Sequence, residues 1–194
     1  MTNESAGRLF YVMGASGVGK DSLLSFVRQA GDPRQVAVAH RYITRPPQAV
    51  GENHIALSEA EFRARLGAGW FALHWSSHGF SYAIGREIDI WRRSGVNVVV
   101  NGSREYLPEA LEAYPDLVPV LITAEPALIA GRLAARKRES KNEIAERLRA
   151  RDELDALPES VIRIDNSGAI ERAGSALLAL VTATDGAISP KSVR

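Results

Sequence analysis

A chain of 194 residues, 45% hydrophobic and 24% charged, has room for one domain with a sizeable core. A formal net charge of +1 gives the surface no bias toward nucleic acid or membrane, so charged function must come from local clusters. With no cysteine, disulfides, thiolate metal sites and cysteine nucleophiles are excluded, which suits a cytoplasmic protein. No secretory or membrane-spanning segment is expected, because the first apolar run, Leu9 to Met13, is short.

Leu9-Phe10-Tyr11-Val12-Met13 reads as a buried strand. A glycine-rich turn leads from it into Lys20 to Ala30, where Leu23, Leu24, Phe26 and Val27 recur on a helical period. Gly31-Asp32-Pro33 stops that helix. Val36-Ala37-Val38 is a short strand entering a polar loop with Pro46-Pro47. Ser58-Glu59-Ala60-Glu61 is a capping box that opens a helix ended by Gly67 and Gly69. A strand is predicted over 70–75, a helix over 86–94 and a β-branched central strand over 96–100. A helix over 108–113 and a strand over 118–123 follow. Pro126 opens a helix running through Arg132 to Arg136, and a basic helix covers 142–154. A strand over 161–164 and a helix over 169–182 close the pattern. Strands alternating with helices predict an α/β fold whose parallel central sheet carries helices on both faces. Ligands in such sheets bind at the carboxyl ends of the strands.

Gly14-Ala15-Ser16-Gly17-Val18-Gly19-Lys20 lies between the first strand and the first helix, which is the P-loop spacing in its required context. Its glycines let backbone N–H groups turn inward around phosphate oxygens, and the helix N-terminus adds a positive dipole end. The loop residues, together with Lys20, Asp21 and Ser22, are the candidate nucleotide contacts. Lys20 is the catalytic ammonium reaching the β- and γ-phosphates. The implied ligands are ATP and Mg²⁺. The hydroxyl residue usual after the lysine is here Asp21, with Ser22 one place on. A carboxylate in a first helical turn is favourable in any case.

Val98-Val99-Val100-Asn101-Gly102-Ser103-Arg104 puts polar groups at a strand end where P-loop enzymes usually keep an aspartate for Mg²⁺. Asn101 stands there instead. The anionic Mg²⁺ partner is therefore expected at Asp21 and Ser22, acting through water where needed. Asn101-Gly102 also reads simply as a tight turn.

Arg41-Tyr42-Ile43-Thr44-Arg45-Pro46-Pro47, Gly51-Glu52 and Gly79-Phe80-Ser81-Tyr82 resemble the acceptor-phosphate site of the guanylate-kinase family. The resemblance implies a nucleoside-monophosphate-kinase-like P-loop fold in which Arg45 and Tyr82 grip the acceptor phosphate. The departures are Gln48 at the family's second arginine, Arg41 at its guanine-reading serine, and Leu73 near its base-reading glutamate. Without that carboxylate the guanine donors would go unpaired, and Arg41 favours a second anionic group. Arg104 is a further candidate for acceptor phosphate.

The chain resembles more closely the ribose 1,5-bisphosphate phosphokinases of phosphonate breakdown. Gly19-Lys20-Asp21-Ser22, the run from Ala39 to Pro46, the run from Glu52 to Ser58, Glu87-Ile88-Asp89 and the run from Val98 to Arg104 carry that resemblance. It implies transfer of the ATP γ-phosphoryl onto the 1-phosphate of ribose 1,5-bisphosphate. The product is 5-phospho-α-D-ribosyl 1-diphosphate.

Arg132-Leu133-Ala134-Ala135-Arg136 and Arg147-Leu148 resemble the family's lid, with Lys137 in place of its glycine. The resemblance implies that Arg132 contacts nucleotide while Arg136 and Arg147 neutralise the migrating phosphoryl group. Arg138 and Arg151 extend the same basic hairpin. A solvated charged hairpin is the alternative. Asp165-Asn166-Ser167-Gly168 resembles the adenine-side loop and fits a plain turn equally well. His40 and His54 read as loop or packing residues, and His54 could also bond sugar hydroxyls.

The expectation is one kinase domain over 1–194, with an acceptor segment at about 38–85 and a lid at about 132–151. It would be a monomer or homodimer acting on small molecules. The competing readings are guanylate kinase, against which Leu73 and Arg41 stand, and a catalytically silent guanylate-kinase-like interaction module, against which Lys20 and the lid arginines stand.

Overall fold

The computed structural model of the chain describes residues 6–46, 53–135 and 160–183. Five strands form a parallel sheet: β1 (Leu9–Met13), β2 (Val36–Val38), β7 (Asn97–Asn101), β8 (Val118–Thr123) and β9 (Ile162–Asp165), in the order β2-β7-β1-β8-β9. The central strand β1 is fully buried along its length. Its side chains alternate between two layers. Leu9, Tyr11 and Met13 meet Ile88 of α3 (Glu87–Arg93) with Leu107 and Ala110 of α4 (Leu107–Ala113). Phe10 and Val12 meet Leu23, Leu24 and Val27 of α1 (Lys20–Ala30) with Ala173, Leu177 and Val181 of α6 (Ile170–Thr182). Cover on both faces explains why β1 is a continuous apolar run rather than an alternating one.

The polar loop expected after Val38 is in part regular structure. A mixed sheet of β3 (Arg41–Ile43), β4 (His54–Ala56), β5 (Phe71–Ser77) and β6 (Phe80–Gly85) runs in the order β4-β3-β6-β5. β3 and β4 have three residues each, too few to display a period. β5 and β6 form a hairpin whose two turn residues, His78 and Gly79, have φ of 50° and 77°, the left-handed pair that matches strand twist.

One face of this sheet carries α2 (Glu59–Gly67), which starts at Ser58, whose Oγ accepts from Glu61 N at 3.1 Å. Phe62 of α2 packs there against Leu57, Phe71 and Ala83. The opposite face sends Ile43, Leu73, Trp75, Tyr82 and Ile84 into the cluster that holds Leu9, Tyr11 and Met13. The two sheets therefore share one core, and each fully buried Leu or Ile along that seam contributes roughly 1.5–3 kcal/mol. The carboxyl ends of β1 and β7 are thus brought to face the second sheet. The last helix to leave the parallel sheet before residue 136 is α5 (Pro126–Ala135).

Candidate active site

The turn after β1 is wound around its own lysine. Lys20 Nζ donates to Gly14 O at 2.7 Å and to Ala15 O at 3.1 Å, so the ammonium arches over the start of the loop. Gly19 is left-handed at φ 99°, and a Cβ there would lie 2.4 Å from Asn166 Nδ2, so only glycine fits. Among the described residues no side chain caps the N-terminus of α1. Its first N–H groups are left for an anion, the arrangement that suits a phosphate tail.

Beside the loop, Asn101 is 4% exposed and donates its Nδ2 to Asp21 Oδ1 at 2.9 Å. Arg41 Nη2 lies 3.6 Å from the same oxygen. The Asn101 Oδ1 is buried and has no hydrogen-bond partner among the described residues. An orphaned acceptor of that kind costs about 1–3 kcal/mol, so the position calls for a donor or a cation. These three groups, with Leu24, Ser25, Val38 and Asn53, line a small cleft between α1 and the start of the second sheet. Ser22 is exposed on the first turn of α1 and stands outside that contact.

The Asn101 segment is held from β1. Tyr11 Oη donates to Ser103 O and accepts from Ser103 N, both at 2.9 Å. Burial pushes the Tyr11 hydroxyl well above the ordinary phenol range, so it stays protonated and both bonds persist. A Cβ on Gly102 would lie 2.0 Å from Tyr11 Cζ, so a glycine there lets the ring close beneath Asn101. Arg104 follows, half-buried at the turn into α4.

On the acceptor side, the Arg41 guanidinium lies 5.8 Å from the Tyr82 ring centre. Tyr82 stacks on Trp75 at 5.6 Å and 6°, and Trp75 stacks on Tyr106 at 5.7 Å. Arg45 sits 5.9 Å over Phe80. Thr44 fixes that corner, its N donating to Ser81 O at 3.0 Å and its Oγ1 accepting from Ser81 N at 2.8 Å. Leu73 is fully buried in the shared core. His40 Nε2 lies 3.4 Å from Glu87 Oε1, at the chain crossing between the two sheets. His54 pairs across from Arg41 in the β3–β4 ladder.

Three relatives decide the family. A ribose 1,5-bisphosphate phosphokinase PhnN of Desulfomicrobium baculatum is 54% identical over 179 residues, covering 91% of this chain and 95% of that protein. The PhnN of Thiobacillus denitrificans is 52% identical over 184 residues, covering 93% and 96%. That of Burkholderia pseudomallei is 52% identical over 179 residues, covering 91% and 96%. The chain belongs to the PhnN family of ribose 1,5-bisphosphate phosphokinases. No family model matches it. Guanylate kinase from Anaplasma phagocytophilum has the same fold, with a TM-score of 0.68 at 15% identity over 92% of this chain and 86% of that one. The PhnN chain is accordingly a P-loop α/β kinase of guanylate-kinase-like architecture.

Within that family frame, the structure brings Asp21, Arg41, Asn101 and Tyr82 into one chain of contacts beside Lys20. It places Arg45 over the ring of Phe80, which lies two residues before Tyr82 on β6. Arg132 Nη1 donates to Val18 O at 3.1 Å, and its Nη2 donates to Asn166 O at 3.2 Å. Arg136, Arg138, Arg147 and Arg151 lie outside the described residues, as do Gln48, Gly51 and Glu52. Sequence reasoning missed the roles of Tyr11 and of the Asn166 side chain. A tyrosine inside a fully apolar strand was the available signal, because a buried hydroxyl must find a partner.

Proposed function

We propose that this PhnN-family chain transfers the γ-phosphoryl group of ATP to the 1-phosphate of ribose 1,5-bisphosphate, yielding 5-phospho-α-D-ribosyl 1-diphosphate in phosphonate breakdown. The bond between the γ-phosphorus and the β–γ bridging oxygen breaks. A new bond forms to an oxygen of the acceptor phosphate, and ADP leaves. That acceptor oxygen is already ionised at neutral pH, so no general base is required.

The observation that carries the acceptor assignment is the Arg41 guanidinium, suspended between Asp21 Oδ1 at 3.6 Å and the Tyr82 ring at 5.8 Å. It presents a fork to an anion at the position where a guanine reader needs a neutral hydroxyl. Leu73, 0% exposed, offers no carboxylate to the guanine donors. Arg45, Tyr82 and Arg104 are then assigned to the accepting phosphate. Lys20 and the loop amides hold the triphosphate, and positioning with charge neutralisation supplies the rate. Arg132 stands at the foot of the lid segment, and Arg136 and Arg147 are assigned to the migrating phosphoryl group.

Mg²⁺ fits beside the loop. Asp21 would supply the carboxylate and Asn101 Oδ1, buried without a partner among the described residues, a neutral oxygen; the Asn101 Nδ2 that donates to Asp21 Oδ1 at 2.9 Å holds the two side chains together. Ser22 is the nearby hydroxyl for a water-mediated contact. When bound, the ion would neutralise phosphate charge. Replacing Asp21 with Ser should raise the Mg²⁺ concentration needed for half-maximal rate and weaken Mn²⁺ binding seen by electron paramagnetic resonance. Unchanged values in both would remove Asp21 from the metal site.

Among the described residues no helix is long and apolar enough to cross a membrane. With small phosphorylated substrates and no cysteine in the sequence, the reaction suits the cytoplasm. A coupled assay with Mg-ATP and a panel of ribose 1,5-bisphosphate, ribose 5-phosphate and GMP tests the proposal. Turnover of ribose 1,5-bisphosphate in preference to the others is expected. Turnover of GMP alone would replace it with guanylate kinase activity, and no turnover or ATP binding would leave an interaction module.

A further inference from the structure

The carbonyl oxygen of Val18 is the acceptor for two side chains from distant parts of the chain. Asn166 Nδ2 donates to it at 2.8 Å, and Arg132 Nη1 donates to it at 3.1 Å. The two donors are tied to each other, since Arg132 Nη2 donates to Asn166 O at 3.2 Å. Asn166 is also anchored through its backbone, its N donating to Thr123 O at 2.7 Å. The next residue continues the brace: Ser167 Oγ accepts from Glu125 N at 2.9 Å and donates to Asp165 Oδ1 at 2.6 Å. The ends of β8 and β9, α5 and the phosphate loop thus close into one ring around a single peptide group.

We propose that Asn166 and Arg132 are positioning residues that hold the Val18–Gly19 peptide plane so that the Gly19 N–H faces the phosphate tail. None of the described peptide bonds is cis, so carbonyl and amide lie on opposite edges of that plane. Drawing Val18 O toward Asn166 and Arg132 turns the Gly19 N–H away from them, into the turn. The fit is close: a Cβ on Gly19 would lie 2.4 Å from Asn166 Nδ2 and 3.6 Å from Arg132 Nη1. Asn166 is 2% exposed, and its Oδ1 has no partner among the described residues. A buried amide that leaves its acceptor unmatched is costly. It is kept where its donor side meets the loop. Arg132 enters as a fork that spans two carbonyl oxygens, a task for which a lysine is the wrong shape. The side chain of Asn166 therefore has a task distinct from any contact its loop makes to a base.

This rests on the reading that the loop binds the phosphate tail of a nucleotide. Two variants keep local charge: Asn166→Ala removes one donor, and Arg132→Lys retains the cation but loses the fork. Calorimetry with ATP, and separately with inorganic tripolyphosphate, which has no base, reads the loop directly. Affinity for both ligands should fall about tenfold in Asn166→Ala, and in the same direction in Arg132→Lys, while binding of ribose 1,5-bisphosphate alone stays at the parent value. The double variant should lose less than the sum of the singles, because both donors serve one oxygen. Loss of ATP affinity with tripolyphosphate affinity intact would show a base contact and overturn the inference. Equal loss of tripolyphosphate and ribose 1,5-bisphosphate would show general loosening and overturn it too. If Asn166→Ala does not fold, Arg132→Lys at its half-exposed position decides between the same outcomes. A parent chain that binds neither ATP nor tripolyphosphate would overturn the nucleotide reading itself.

Discussion

The two sides of the cleft are built from different materials. The donor side is made of main chain held in place by side chains. Lys20 grips the carbonyls of Gly14 and Ala15, Asn166 and Arg132 grip that of Val18, and Tyr11 clamps both polar atoms of the Ser103 backbone. The acceptor side is made of side chains resting on rings, with Arg41 on Tyr82, Arg45 on Phe80 and Tyr82 on Trp75. A main-chain cradle serves any triphosphate and tolerates few changes. A stack of rings and guanidinium groups can be re-aimed by single substitutions, so a change of acceptor choice is expected to come from that side.

The sharpest break of that comparison is Lys20→Ala. It should lower kcat by roughly 10²–10³-fold in a coupled assay, because charge stabilisation at the migrating phosphoryl group is lost. Lys20 is only partly buried, so the melting temperature should move little. Retained turnover would remove the cradle from the mechanism.

Next comes Gly102→Ala. The added methyl would sit 2.0 Å from Tyr11 Cζ, against a ring that is fully buried and cannot retreat. A loss of about 1–3 kcal/mol in stability is expected in denaturant melts, as for other overpacked cores. Activity should fall with it, because Asn101 and Ser103 shift together.

What could be read from the sequence follows the same division. The phosphate loop was legible because inward-turned amides demand glycines at fixed spacing beside a strand. The approach of Asn101 to Asp21 was legible only as an exchange of residue types, since 80 residues separate them and their contact depends on β7 lying next to β1. β3 and β4 were hidden because three residues show no period and their partners are distant in sequence. Arg41 and Leu73 were singled out by resemblance rather than by pattern. Their stacking and burial came from the second sheet, of which only the strand over 70–75 was expected from the sequence. The segment from Asp165 to Gly168 read as an adenine-side loop or a plain turn, and the Asn166 side chain was missed because its acceptor, Val18 O, lies 148 residues away in sequence.

A smaller effect is expected from Arg41→Ala. The KM for ribose 1,5-bisphosphate should rise about tenfold while the KM for ATP holds, as for the loss of one charged hydrogen-bonding partner. Arg41→Lys should recover only part of it, because a point charge does not replace the fork. A rise in the KM for ATP instead would place Arg41 on the donor side of the cleft.

The mildest change is Asp32→Asn, at the far end of α1 from the loop. Asp32 accepts from Arg34 N and Nε at 2.9 and 3.1 Å, and these bonds to Arg34 hold its carboxyl at about 2, below the usual carboxylate range. A depressed folded-state value means the stabilisation is present above the ordinary value of 3.8 and fades as pH falls toward 2. The pair is exposed, so the effect at neutral pH should be small and reduced by salt. Parent and variant should therefore melt slightly apart at pH 7 and converge in strong acid, with kcat and both KM values unchanged at pH 7. A kinetic change from so remote a clip would mean that the rigidity of the donor side extends along the whole of α1 rather than residing at the loop.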